Sequence, residues 1–401
     1  MWGGLGWGFW GEASMSVTHS ITGGLVHLSG NPIQITLTAD VVKANYKLAV
    51  KVTCAALMGS PFMEEIAPNR PSLQAVFNIS GFIDQPVAHD FDFPAVGVVS
   101  AHPKLAFAVT IDIGEVWTDS SGDRQVAWNN LSVNNSLTVI KGKLRPYELG
   151  LLNDDGKDFS SQYINGGKFL THLPNFQVVS PTQIVKLWYL SRWTNIHNAE
   201  WNLSITTDLK IGRLPISGEA ILNPISGLLE FSINPAFIGF NIGQGENILS
   251  YTFWLSDADG DISEHRTFLV DNGYYEKSFL FYYVNPLSGV DCIWLTGPYS
   301  EGLKTESEIA YRAVPVLSGS KAASQTTISS GSQRTWELNT GPKSFSEILA
   351  LRDFLTSKQC WMVDPQNGQK LIPVNIEPGD HKLFDVSDDI QNLDIKIMEA
   401  H

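Results

Sequence analysis

The chain has 401 residues, enough for about two to four domains. Hydrophobic residues make up 43% and charged residues only 17%, against roughly 25% charged in most soluble proteins, a balance that suits a subunit hiding much of its surface in an assembly. The net charge of −14 with no Lys/Arg cluster argues against direct contact with nucleic acid, and the lack of any apolar run of roughly 18 residues argues against membrane insertion.

Residues 1–16 read as an aromatic, glycine-rich arm, Met1-Trp-Gly-Gly-Leu-Gly-Trp-Gly-Phe-Trp10 at its start. So much glycine disfavours a helix or strand, whereas Trp2, Trp7, Phe9 and Trp10 are large enough to anchor an interface. The arm is therefore expected to order on docking to a neighbouring subunit. The string Gly6–Gly11 matches the dinucleotide fingerprint G-x-G-x-x-G, but no strand precedes it.

A first β domain is expected over 17–150. Ile33–Ala39, Tyr46–Val52 and Leu105–Ile113 alternate apolar and polar residues, the period of a half-buried strand. A second β region is expected over 151–315, with strands in Leu203–Leu209, Ser250–Leu255 and Ser278–Val284. Asp155-Gly156, Asn165-Gly166, Asp259-Gly260 and Asn367-Gly368 each suit a tight hairpin. Asn223-Pro-Ile-Ser-Gly227 and Asn285-Pro-Leu-Ser-Gly289 are alike, as turn-rich β chains allow by chance. Residues 316–332, rich in Ser, Gly and Thr, read as a linker or an exposed hairpin loop.

Residues 333–401 are expected to form a small α+β unit containing one helix. Ser344 can cap it and Glu347 completes a capping box. The apolar face is expected to carry Phe345, Ile348, Leu349 and Leu355, with Arg352 among them, over about 344–357. Strands follow in Gln359–Val363, Leu371–Ile376 and Leu393–Ile397. The fold class is thus mainly β: tandem sandwich- or barrel-like domains with a C-terminal α+β unit.

Chemistry-bearing motifs are sparse. No G-x-x-x-x-G-K-[ST], H-E-x-x-H, C-x-x-C or G-x-S-x-G string occurs. Cys54, Cys292 and Cys360 are far apart and read as buried reduced thiols. The segment Asp257-Ala-Asp-Gly-Asp-Ile-Ser-Glu264 places Asp257, Asp259, Asp261 and Glu264 at calcium-loop-like spacing, but Gly260 falls at the fourth position and Phe268 at the twelfth. A hairpin turn that needs no metal is expected, calcium being the one cofactor the sequence leaves open. His197 lies in an aromatic loop, Trp193–Trp201, that a sugar-binding protein could use. A glycosidase would have to draw its carboxylates from pairs such as Asp112 with Glu115 or Asp154 with Asp155.

Three stretches resemble tail-associated virion proteins of tailed bacteriophages, especially those of Bacteroidetes-type hosts. They are Gly30–Ile35 with Ala75–Ile83; the aromatic hairpin Phe281–Gly297; and Trp336–Gly341 with the capped helix and the Leu371–Ile376 strand. The resemblance implies a non-enzymatic virion subunit of the tail or baseplate, similar to distal tail proteins and assembled in the host cytoplasm. Its implied partners are other tail proteins and copies of itself in a ring, six-fold rather than three-fold. The competing expectation is a carbohydrate- or receptor-binding β-sandwich for host adsorption.

Overall fold

A computed structural model describes residues 17–41, 43–84, 89, 99–130, 137–154, 156, 158–191, 200–216, 227–235, 243, 245–311, 325–368, 370–381, 383 and 392–400. The arm residues Trp2, Trp7, Phe9 and Trp10, His197, and residues 316–324 of the expected linker lie outside them. The chain is mainly β, and no sheet closes into a barrel among the described residues. It divides into two compact units, residues 1–87 with 103–165, and residues 88–102 with 166–401.

The first unit packs two sheets on one core. A three-stranded antiparallel sheet runs Val17–Ile21, Gln34–Ala39, Gln74–Asn78. A six-stranded sheet runs Val26–Leu28, Leu137–Ile140, Ala106–Thr118, Lys47–Thr53, Phe62–Ile66, with Arg124–Asn130 also pairing with Ala106–Thr118. The alternating runs read in the sequence become strands because one face of each meets the core. Ile35, Leu37 and Phe77 come from one sheet and Leu48, Ile111 and Ile113 from the other, all at 0% exposure. Each such side chain contributes roughly 1.5–3 kcal/mol on burial.

The expected boundary at residue 150 is corrected to 165, because helical structure closes this unit. A helix spans Pro146–Asp154 and a single π-turn spans Ser160–Ile164. The signals for the helix were local: proline at its first position, and Glu148 accepting a hydrogen bond from the Arg145 backbone N–H at 3.0 Å. Asn165-Gly166 follows the π-turn as part of a turn and joins no hairpin.

The second unit contains three sheets. One runs Gln177–Val179, Arg266–Val270, Ile248–Asp257, Glu200–Thr207, Ile211–Ile216. Another runs Val185–Leu190, Leu228–Ile233, Val99–Ala101. A seven-stranded sheet runs Val290–Leu295, Phe279–Val284, Cys360–Val363, Leu371–Ile376, Asp394–Glu399, Gln325–Asn339, Tyr299–Tyr311. This last sheet corrects the division at 315–333, since strands on both sides of it share one ladder. Of the stretch expected as a linker or an exposed hairpin loop, Gln325–Ser332 is strand, paired antiparallel with Thr305–Tyr311. Small polar residues read as linker because no core face forced apolar alternation upon them.

The helix over the seven-stranded sheet spans Phe345–Leu355, with Ser344 as its cap and the reciprocal Ser344–Glu347 box formed. Its buried face differs from the expected one. Ile348, Leu351 and Phe354 are buried, Leu349 and Leu355 half-buried, and Phe345 is 60% exposed. Phe354 packs against Phe281 and Tyr283 with ring centres 5.4 and 5.3 Å apart. These aromatics of the sheet draw the helix round so that Leu351 and Phe354 replace Phe345 on the core.

Candidate functional site

The most exposed regular element is the two-stranded ribbon Tyr299–Tyr311 with Gln325–Asn339. It is antiparallel from Tyr299↔Leu338 to Tyr311↔Gln325, with a bulge between Glu308 and Ile309. Its root belongs to the core, where Trp336 and Leu338 are buried beside the neighbouring strand Asp394–Glu399. Arg334 donates to both carboxylate oxygens of Glu399, at 2.9 and 3.2 Å, which pins the root further. Beyond it, every residue from Tyr299 to Ile309 is exposed, Leu303 by 62%. Among the described residues, Tyr299–Tyr311 pairs with one strand only and forms the free edge of the sheet.

The expected metal segment is a tight turn. Asp257 pairs with Gly260 across it, and Asp257 Oδ1 accepts the backbone N–H of Asp259 at 2.9 Å. Asp261 instead meets His265 Nε2 at 2.8 Å, and Glu264 accepts from the backbone N–H of Phe169 at 3.0 Å. No three of these carboxylates bring ligand atoms within 4.8 Å of one another. Asp257, Asp261 and Glu264 are thus engaged in separate local contacts rather than in a shared centre.

Two buried charged centres were not anticipated. In the first, strands Val185–Leu190 and Leu228–Ile233 are buried at every position, and each carries one charge. Lys186 and Glu230 lie on the same face, since Lys186 pairs with Ser232 and Trp188 with Glu230. The Lys186 ammonium donates to Glu230 Oε1, while His102 Nε2 stands 3.1 Å from Oε2. His102 also lies over Trp188, ring centres 4.5 Å apart. Burial alone would raise the Glu230 carboxyl, but the bond from His102 and the charge and bond of Lys186 outweigh it and hold its pKa below the usual value. Beside it, His89 bonds through Nε2 to the Ser288 carbonyl at 2.9 Å, and burial pushes its pKa down.

In the second, Asp291 is fully enclosed. Burial pushes its carboxyl up to about 7, against hydrogen bonds from Asn285 and Thr171. Its Oδ2 has no hydrogen-bond partner among the described residues. The adjacent His172 bonds through Nδ1 to the buried Asp353 of the helix at 2.7 Å. An imidazole held by a buried carboxylate can act as a general base; here the contact also ties the helix to the Thr171–His172 segment. The turn Asn285–Gly289 closes this region. Asn285 Oδ1 accepts from the backbone N–H of Leu287 and Gly289, and its amide donates to the Leu170 carbonyl at 2.8 Å. A Cβ at Gly289 would stand 2.6 Å from that carbonyl, so only glycine fits.

In the first unit, a cavity of about 270 Å³ is lined by His27, Gln34, Leu144, Leu152, Asp158 and Phe159 among others. His27 bonds to the Gly24 carbonyl at 2.9 Å, and burial holds its pKa down. The carboxylate pair Asp112 and Glu115 is not brought together. The two are three residues apart on a regular strand and so point to opposite faces. Asp112 takes Lys51 at 2.8 Å, and Glu115 takes Tyr46 at 2.6 Å and Lys43 at 2.7 Å. The side chains of Asp154 and Asp155 lie outside the described residues. Of the aromatic loop, Trp201 is buried within its sheet. The three cysteines are free and buried.

The buried centres had a legible signal. A single charge inside an otherwise apolar strand, as in Ile184–Leu190, Leu228–Ile233 and Val290–Leu295, must find a partner or stay neutral. The partner itself is set by strand pairing. Compared with known proteins, the chain matches no family model and no curated protein.

Proposed function

We propose that this chain is a non-enzymatic structural subunit of a phage tail or baseplate, joined to copies of itself in a ring and to other tail proteins. The ribbon is the observation that supports this reading. A two-stranded ribbon whose outer strand is exposed from Tyr299 to Ile309 is marginal in water, and a long free edge is a template for pairing with another chain. Such an element gains order from a neighbour. Low charge over the whole chain points the same way. The Lys186–Glu230 centre serves the fold, since the two residues are 5% and 6% exposed and closed to a substrate. The carbohydrate-binding alternative would rest on exposed aromatics such as Trp128, Tyr147 and Tyr274, 40%, 68% and 91% exposed.

The test is antibody labelling of purified phage particles by electron microscopy, together with the solution mass of the isolated chain. Label at the tail tip and a ring-sized oligomer are expected. A strict monomer with no label on any particle would refute the proposal.

A further inference from the structure

The free edge of the ribbon carries charges in an order that fits itself. From the geometry we infer that Tyr299–Tyr311 pairs edge to edge, antiparallel, with the same strand of a second copy, on a two-fold axis at Thr305. Such a contact is isologous, so each position meets its mirror position about the axis; it pairs two copies, or two rings, and does not itself close a ring. An axis perpendicular to the sheet keeps side chains on their own faces, which requires it to pass through a residue. An axis at Lys304 would oppose Lys304 to itself; one at Glu306 would oppose Glu306 to itself at the centre, against two Lys304–Glu308 pairs that fall beside the bulge. An axis at Ser307 would set Glu306 against Glu308 twice. An axis at Leu303 brings no opposite charges across. At Thr305, Lys304 of each copy faces Glu306 of the other. Directly opposed opposite charges stabilise a strand pair, and like charges destabilise it. Thr305 is thus the one of these axes that brings opposite charges together without opposing like ones.

The inner side of the strand agrees. Lys304 lies opposite Gln333 and Glu306 opposite Gly331, so neither meets a charge on the partner strand. The two bond to each other at 2.8 Å on the exposed face, with side chains 55% and 76% exposed. A second copy would extend that pair into an alternating group of four. The bulge after Glu308 ends the regular run. Its mirror position is Gly302, where the lack of a side chain leaves room for Glu308. The pairing run is thus Gly302–Glu308.

Cross-linking reads the register directly. Directly opposed residues of antiparallel strands have Cα atoms roughly 4.5–5.5 Å apart, within reach of a disulfide. Thr305→Cys should give a covalent dimer on mild oxidation, whereas Ser307→Cys, roughly 13 Å from its copy in this register, should not. The native cysteines are all buried and give little background. Separately, K304E or E306K alone should weaken self-association roughly tenfold, as two favourable cross-strand pairs become like-charge pairs. Mixing the K304E and E306K chains should restore it, because each then faces its complement across the axis. The pair within each chain stays repulsive, so recovery on mixing reports the contact between copies.

This contact is independent of the phage setting. An intact oligomer in which T305C cross-links no better than S307C overturns the contact and leaves the assembly role standing. A monomer at every concentration counts against both.

Discussion

Lys186 and Glu230 meet as an ion pair within the second unit, each less than a tenth exposed, with His102 at the free carboxylate oxygen. The charges come from adjacent strands that are buried at every position. Removing Lys186 leaves Glu230 with His102 and the Ser232 hydroxyl but no ammonium, and removing Glu230 takes the carboxylate from a buried ammonium. Glu230→Gln or Lys186→Met is expected to cost about 3–5 kcal/mol, while Lys186→Met with Glu230→Leu together should cost much less. Urea unfolding of the three variants measures this. A double-variant loss equal to the sum of the two single losses would show that the pair does not act as a unit.

Asp291 makes stability depend on pH. Its folded pKa, about 7, lies above the ordinary 3.8, so the folded state holds a proton that the unfolded state has released between these values. The contribution is present in full below about pH 4 and is lost as pH rises to about 7. Asp291→Asn cannot ionise. It should therefore gain on the native protein across that window, by a few kcal/mol at pH 8. Melting temperatures of both proteins at pH 5 and pH 8 test this. A variant no more stable at pH 8 than the native protein would contradict it.

The helix gives a paired prediction. Phe354→Ala empties a site between Phe281 and Tyr283 and should cost about 3–5 kcal/mol. Phe345→Ala, at an exposed position, should change stability by about 0.5 kcal/mol or less. Ser344→Ala should cost about 1 kcal/mol through the lost cap. Denaturant midpoints rank the three. If Phe345→Ala proved the most damaging, the helix would be facing the other way.

Calcium should leave the melting temperature unchanged, because Asp257, Asp261 and Glu264 are each engaged separately. Asp259→Ala should be close to neutral. Glu264→Ala should cost about 1–2 kcal/mol by leaving the buried Phe169 N–H without its acceptor. A saturable rise in melting temperature with calcium, abolished by Asp259→Ala, would point to a bound ion instead.

The sequence by itself determined those elements whose cause is local. Period-two alternation marked the strands Gln34–Ala39, Lys47–Thr53 and Leu371–Ile376, and the Ser344–Glu347 box marked the start of the helix. Only the tertiary structure decided the rest. Val185–Leu190 and Leu228–Ile233 are covered on both faces, so they show no alternation to read. Lys186, Glu230 and His102 meet only because the pairing Val185–Leu190, Leu228–Ile233, Val99–Ala101 joins segments distant in the chain. Which helical face is buried depended on Phe281 and Tyr283, not on the helix's own pattern. The outer strand of the ribbon was hidden for the opposite reason: Tyr299–Ile309 is exposed on both faces and needs no apolar period, and its strand character comes from its partner's hydrogen bonds.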